Sequence, residues 1–276
     1  MHRAHELEDR PGLGSQLMLA DTNPSRAGRR LLKRLLYSQL ALRDAFLILI
    51  GRQRPTLAFT VLADPCSIYL NFPIRREMEQ AFADYINLAG GLSLAPIRCL
   101  AAEEPALLLT LNIYEVSGLV HGPRAEWSTY IADSEGIPRY MVLEARAAAG
   151  SMDPVNVFTR PDRVEHEVTG GHLVSTVASE GGSLFSSNVR LDEGHPIAEP
   201  AAEWIEANDY IYWRNGVCDR TWYDASVFNA RVHSVPPDDV TIRDETPWAR
   251  FVEPQPRHVL RYDGALEFMI SPWFNI

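Results

Sequence analysis

Residues 107–154 read LLLTLNIYEVSGLVHGPRAEWSTYIADSEGIPRYMVLEARAAAGSMDP, and three runs within them have strand character. Over 124–132 the residues alternate, with Glu126, Ser128 and Tyr130 on one side and Ala125, Trp127, Thr129 and Ile131 on the other, the two-residue period of a strand. Over 139–145 the same period sets Tyr140, Val142 and Glu144 against Arg139, Met141, Leu143 and Ala145. Asp133, Ser134, Glu135 and Gly136 between them are turn formers, which predicts a hairpin with a loop of about four to five residues. Residues 107–116 are more apolar and offer no fully polar face, which predicts a central strand covered on both sides.

This alternation makes Glu126 and Glu144 candidates for one shared face, with the register left open by the loop length. On an interior face each carboxylate is desolvated and its pKa rises, the state in which enzymes hold a general acid or base. On an outer face the same glutamates are solvated and pair with Arg139 or Arg146, the ordinary fate of charged side chains. The residues alone leave both readings open.

Outward from that segment, composition narrows the function. The 276 residues are 46% hydrophobic and 22% charged, which places the chain among globular proteins long enough to bury a large core. A net charge of −10 argues against nucleic acid as the main partner, because phosphate binding requires a concentrated basic surface. Cys66, Cys99 and Cys218 are far apart and form no CxxC pair, so neither a disulfide framework nor a zinc ribbon is expected. With no secretory signal and no run of about 18 apolar residues, the expected location is the cytoplasm. Lys33 is the single lysine, so amine-based covalent catalysis has one side-chain nucleophile at most.

In chain order, residues 1–23 are expected to be a flexible leader and 24–276 a single domain. Asn23 and Pro24 can cap and open an amphipathic helix over 24–51, whose leucine stripe and basic start suit packing, self-association or contact with a membrane surface. The body over 56–276 reads as strands at 56–62 and 66–72, a second helix at 74–88 and a strand at 92–100 containing Pro96. Later strands are expected at 163–169 and 172–178 about Gly170-Gly171, then at 183–190, 229–235 and 240–244. A short helix is expected at 201–207, and strands 257–262 and 265–270 read as a hairpin closed by Asp263-Gly264. The fold class is thus α+β, mainly β: an antiparallel β-barrel or sandwich with two N-terminal helices and a short later helix.

Residues 208–223, NDYIYWRNGVCDRTWY, are the densest polar-aromatic stretch. Arg214 and Arg220 suit a carboxylate ligand with Trp213 and its neighbours as an apolar wall; alternatively Asn215-Gly216 is a tight turn and Asp219 pairs with Arg220. No HxH or HExxH spacing occurs, so no metal site or cofactor is expected. GxSxG, Walker and GxGxxG patterns are absent, leaving serine-hydrolase, nucleotide and dinucleotide chemistry unsupported.

The succession LAGGLSLAPIRCLAAEEPALLLTLNIYEVSGL from Leu88, followed by GPRAEWSTYIADSEG, resembles the acetoacetate decarboxylase-like superfamily over about residues 75–270. The resemblance implies a barrel-like fold, an interior apolar pocket holding acidic residues and often an arginine, and a homo-oligomer. Decarboxylases of that superfamily use a Schiff-base lysine in a Gly-Phe-Pro-Lys segment; no such segment exists here and Lys33 matches nothing in it. What remains is acid-base and positional catalysis. The expected activity is a lysine-independent lyase or cyclase, carrying out enolisation, dehydration, cyclisation or decarboxylation of a hydrophobic oxo-acid or polyketide-like molecule. Glu126 and Glu144 are the expected catalytic groups. Arg124, Arg139 and Arg214 would orient an anionic or carbonyl group, and Tyr114, Trp127, Tyr130, Tyr140 and Trp213 would shape the wall. The alternative is a non-catalytic binder of hydrophobic small molecules, in which the carboxylates are structural.

Overall fold

The computed structural model describes residues 57–272 except 89–90, 119–120, 133–135, 137, 149–159, 180, 193, 209, 214–220 and 228–230. The expected leader, the helix over 24–51 and Arg214 lie outside the described residues. The elements are β1 (Leu57–Val61), β2 (Ile68–Pro73), α1 (Glu79–Tyr85), β3 (Ser93–Leu94), β4 (Leu108–Gly118), β5 (Gly122–Ala132), β6 (Pro138–Ala148) and β7 (Arg160–Thr169). They continue as β8 (His172–Ser179), β9 (Gly182–Arg190), α2 (Ala202–Ala207), β10 (Tyr210–Trp213), β11 (Thr221–Val227), β12 (Arg231–Val235), β13 (Val240–Asp244), β14 (His258–Asp263) and β15 (Leu266–Pro272). The described chain is mostly β with few helices, and none of those helices is long and apolar enough to cross a membrane.

β4 is the central strand its composition predicts. Leu109, Leu111 and Ile113 enter one buried cluster and Leu108, Tyr114 and Val116 another, so both faces are covered. One edge of β4 pairs with β2 and then β1, and the other with β5. From β5 the pairing runs through β6, β10, β11, β15 and β1 back to β4. β12 and β14 extend the sheet beyond β2, while β7, β8, β9 and β13 continue it from β6. The ladder is antiparallel except for β6–β10 and β6–β7, two parallel contacts that the antiparallel expectation did not include.

The Gly170-Gly171 hairpin forms as expected, with φ of 58° and 80° matching the positive-φ pair that a two-residue turn requires. Asp263-Gly264, expected to close a hairpin, does not. β14 lies against β2 and β15 against β1, and β1 and β2 run the same way along one edge of β4. β14 and β15 therefore also run the same way, and the chain turns a corner there instead of reversing.

Two further expectations are shortened. The helix over 74–88 is a single 3-10 turn, Arg76–Met78, followed by α1, because Ile74 is still bridged to Val252 and Asn87 leaves the helix with φ of 50°. The strand over 92–100 reduces to β3 and isolated bridges at Ile97 and Leu100, since Pro96 has no N–H to give a ladder.

The two faces of the sheet bury different material. On one face Ile68, Leu70, Ile113, Trp127 and Leu143 pack against Val164, Leu173, Val177, Phe185 and Val189 of the β7–β9 layer. Phe82 anchors α1 there, fully buried with ring centroids 6.3 Å from Trp248 and 5.3 Å from Phe251, a burial that contributes about 2 kcal/mol. The other face gathers Tyr69, Tyr114, Tyr130, Tyr140 and Tyr262 with Val116, Val142 and Leu260, covered by Trp204 of α2.

Candidate functional site

Glu126 lies on that tyrosine-rich face. The β4–β5 register sets it opposite Asn112, and the β5–β6 register opposite Ala145. Its residue is 9% exposed, and its carboxylate accepts a hydrogen bond from the Tyr140 hydroxyl at 2.8 Å and a longer one from Tyr114 at 3.3 Å. Arg124, paired with Tyr114 in register and itself buried, adds a positive charge nearby. Burial pushes the Glu126 carboxyl above the ordinary glutamate range, and the two phenol hydrogen bonds and the Arg124 charge oppose this without cancelling it. Burial, reinforced by the Glu126 charge, holds the Tyr114 and Tyr140 hydroxyls protonated.

Glu144 is not on this face. Ser128 pairs with Val142 but Trp127 pairs with Glu144, so Leu143 has no partner across the ladder and a β-bulge shifts the alternation by one residue. Ala145, and not Glu144, then faces the way Glu126 does. Glu144 instead accepts from Arg146 Nε at 2.6 Å and from Trp248 Nε1 at 2.9 Å, on the side of the core that holds Trp127 and Trp248. The shared face expected for the two glutamates is therefore corrected: a strict two-residue period over 139–145 does not survive the bulge.

Of the remaining predicted residues, Tyr114, Arg124, Tyr130 and Tyr140 gather about Glu126. Trp127 is fully buried on the opposite face, with the Arg146 guanidinium 5.7 Å from its ring. Arg139 pairs in register with Ile131, which also belongs to that opposite face. Trp213 closes β10, while Arg214 is outside the described residues.

The structure adds Tyr69, Asn112, Trp204 and Tyr262, which sequence reasoning left out. Tyr69 packs edge-on to Trp204 with ring centroids 5.7 Å apart and lies 5.3 Å from the Tyr262 ring. Trp204 Nε1 donates to the Tyr130 hydroxyl, and the Tyr130 and Tyr140 rings are 5.6 Å apart. A signal for this face was present in 107–116. Thr110, Asn112 and Tyr114 occupy every second position between Leu109, Leu111 and Ile113, a polar stripe within an apolar run.

Two other features lie outside this cluster. An open groove of about 720 Å³ runs along α1, lined by Arg76, Glu79, Asp84, Leu88 and Leu107 among others, none of them a predicted site residue. Asp192, His195 and Asp239 bring ligand atoms within 4.8 Å of one another, and Arg190 ion-pairs with both aspartates, supplying positive charge there.

No protein-family model matches the chain, and no curated protein matches it in sequence. Solved structures do match. The acetoacetate decarboxylase of Legionella pneumophila subsp. pneumophila str. Philadelphia 1 superposes with a TM-score of 0.53 at 9% identity, over 80% of this chain and 87% of that one. The enduracididine biosynthesis enzyme MppR, solved with the condensation product of pyruvate and imidazole 4-carboxaldehyde, gives 0.51 at 9% identity over 80% and 92%. A further acetoacetate decarboxylase gives 0.50 at 9% identity over 79% and 88%. The resemblance noted in residues 88–136 is thus a likeness of fold, extending over most of the chain.

Proposed function

We propose that this chain is a lyase or cyclase that works without a lysine imine, in a chamber enclosed by the ring of paired strands. Its substrate is a hydrophobic oxo-acid or polyketide-like molecule, and Glu126 is its acid-base group. The observation that carries this reading is a buried carboxylate held by two phenols beside a buried arginine, on the tyrosine-rich face of the sheet. A carboxylate raised by burial is a stronger base once ionised and holds its proton to higher pH than an exposed one. In the proposed step Glu126 takes a proton from the carbon beside a substrate carbonyl. The C–H electron pair moves into the enolate, and the proton returns to carbon or to a leaving oxygen. Arg124 balances the substrate's negative charge, and the tyrosine rings exclude water. The fold likeness to acetoacetate decarboxylase and MppR supports carbonyl chemistry as the class.

The test begins with the mass of any small molecule that copurifies, followed by turnover of a panel of 2-oxo and 3-oxo acids. Glu126→Gln is expected to abolish turnover while ligand affinity changes little. Loss of binding and of fold stability together, with no turnover by the wild type on any panel member, sinks the catalytic reading in favour of a non-catalytic binder.

A further inference from the structure

The groove of about 720 Å³ along α1 has an apolar floor and an acidic wall. Leu88, Leu92, Leu94 and Leu107 line it and are only partly covered by the core they pack against. Its acids come from one element of structure. Glu77 of the 3-10 turn and Glu79 and Asp84 of α1 line the groove, while residues 92–94, which also line it, carry no charge. Arg76 is the one basic group among the described lining residues, so the acids outnumber the bases by three to one. Asp84 accepts from Gln80 Nε2 at 2.9 Å, and among the described residues no cation pairs with any of the three carboxylates.

Residues 24–51 carry the matching pattern. As the helix expected there, they set Arg26, Arg30 and Lys33 at i, i+4 and i+7, on one side, with Arg34 next to them. Leu31, Leu35, Leu42, Phe46 and Leu49 form the apolar stripe beside that basic side. The stretch holds six basic residues and one acid, Asp44. A leucine floor next to an acidic wall therefore has its counterpart within the same chain.

Reach fixes the direction in which the two can meet. Residues 52–56 join the helix to β1 and span at most about 18 Å when extended. β1 lies at the Gly118 end of β4, because Phe59 pairs with Gly118, whereas Leu107 adjoins the other end; the 11 residues of β4 between them rise about 36 Å. At 1.5 Å per residue Lys33 is about 27 Å from the end of the helix, enough with the linker to cover that span, while Phe46, about 8 Å from it, falls short. The end that reaches the acidic wall is the basic one.

We infer that residues 24–36 dock in the α1 groove of their own chain, leucines on the leucine floor and the Arg26, Arg30 and Lys33 side against the acidic wall. Exposed ion pairs contribute little on their own, so burial of the leucines supplies the affinity and the charges set the orientation. The short tether holds the segment at roughly millimolar effective concentration, which populates even a weak contact. The inference stands apart from the chemistry proposed for Glu126.

Lys33 is the single lysine, which makes the test specific. A water-soluble carbodiimide joins an amine to a carboxylate in contact with it through an amide bond, so every side-chain cross-link in the full chain comes from Lys33. Peptide mass spectrometry is expected to find Lys33 joined to Glu77, Glu79 or Asp84, and a mixture of isotope-labelled and unlabelled protein tells same-chain products from those between chains. Glu79→Gln combined with Asp84→Asn should remove most of the product. Backbone hydrogen exchange is the second measurement: Arg30→Glu with Lys33→Glu is expected to speed exchange over 79–88 about tenfold while β8 and β9 keep their rates. Faster exchange confined to 79–88 supports docking even where the amide yield is low. Lys33 joined mainly to carboxylates outside the groove overturns the inference. Products only between labelled and unlabelled chains also overturn it and give the segment to a second copy. Sedimentation of the chain with phosphatidylserine-containing vesicles, with no groove amide, gives it instead to a membrane surface. No groove amide together with unchanged exchange over 79–88 overturns docking outright.

Discussion

Two glutamates leave adjacent strands on opposite sides of one sheet, and their surroundings differ in kind. Glu126 meets phenol hydroxyls and a nearby guanidinium in a tyrosine-rich interior; Glu144 is clamped between the Arg146 guanidinium and the Trp248 indole at the edge of a core of aliphatic, Phe and Trp side chains. The ion pair of Glu144 satisfies its charge in place and leaves little for a substrate to do. Glu126 is held by two phenol hydroxyls with the Arg124 charge nearby, and burial raises its pKa past what they offset. A carboxylate that the fold neutralises is structural. One that the fold leaves poised can move protons.

The largest expected effect tests this contrast directly. Glu126→Gln keeps shape and removes the titratable proton, and it should cut kcat by about 10²–10⁴ with the fold intact. Glu144→Gln should leave kcat within about threefold. Equal losses in the two variants would erase the functional difference between the faces, and steady-state kinetics with circular dichroism on both variants decides it.

The two faces should also respond to pH with opposite sign. Glu126 has a folded pKa above its ordinary 4.5, so the stability it contributes is complete below that value and is lost as pH rises through the raised one. Glu126→Gln should therefore gain on the wild type with rising pH. On the other side, His166 is buried between Ser175 Oγ and the Cys66 carbonyl, and burial lowers it from 6.5 to about 4. Its contribution is present above 6.5 and is lost as pH falls toward 4. Replacing it with Gln should remove about 3 kcal/mol of that acid loss. His258, lowered to about 4 as well, keeps part of the slope. Denaturant melts between pH 4 and 9 should read both trends, and parallel trends in the two variants would refute the assignment.

How much of this was legible follows from what a period can encode. Alternation over 124–132 correctly paired Glu126 with Tyr130 on one face, because β5 is regular there. The same reading failed on β6, since a bulge adds a residue without any mark such as glycine: Leu143 is an ordinary apolar residue. Asp263-Gly264 failed for a different reason. A turn-forming dipeptide permits a change of direction but does not say which strand the chain meets next, and here β2 and β1 had already been laid end to end along β4. Asn112 is a polar residue inside an apolar strand whose place is explained by Ser67, which donates to it, and by Tyr69, its partner across the ladder. Tyr69 and Trp204 come from elements 135 residues apart (204 − 69), and no local pattern brings them together.

Smaller effects should sharpen the structural half of the contrast. Glu144→Ala removes the carboxylate that the Arg146 guanidinium, at 8% side-chain exposure and lying over the Trp127 ring, is paired with, and should cost about 2 kcal/mol in urea unfolding. Trp248→Phe is gentler. It keeps an aromatic ring near Phe82 and Tyr85 but removes the indole N–H that Glu144 accepts at 2.9 Å. Because Arg146 still satisfies the other carboxylate oxygen, only one hydrogen bond is lost, and the expected cost is about 1 kcal/mol with kcat unchanged. The double variant Glu144→Ala with Trp248→Phe should then cost less than the two singles added, since both remove the same bond. Additive losses would mean that Trp248 supports the core by packing alone and that Glu144 owes its position to Arg146.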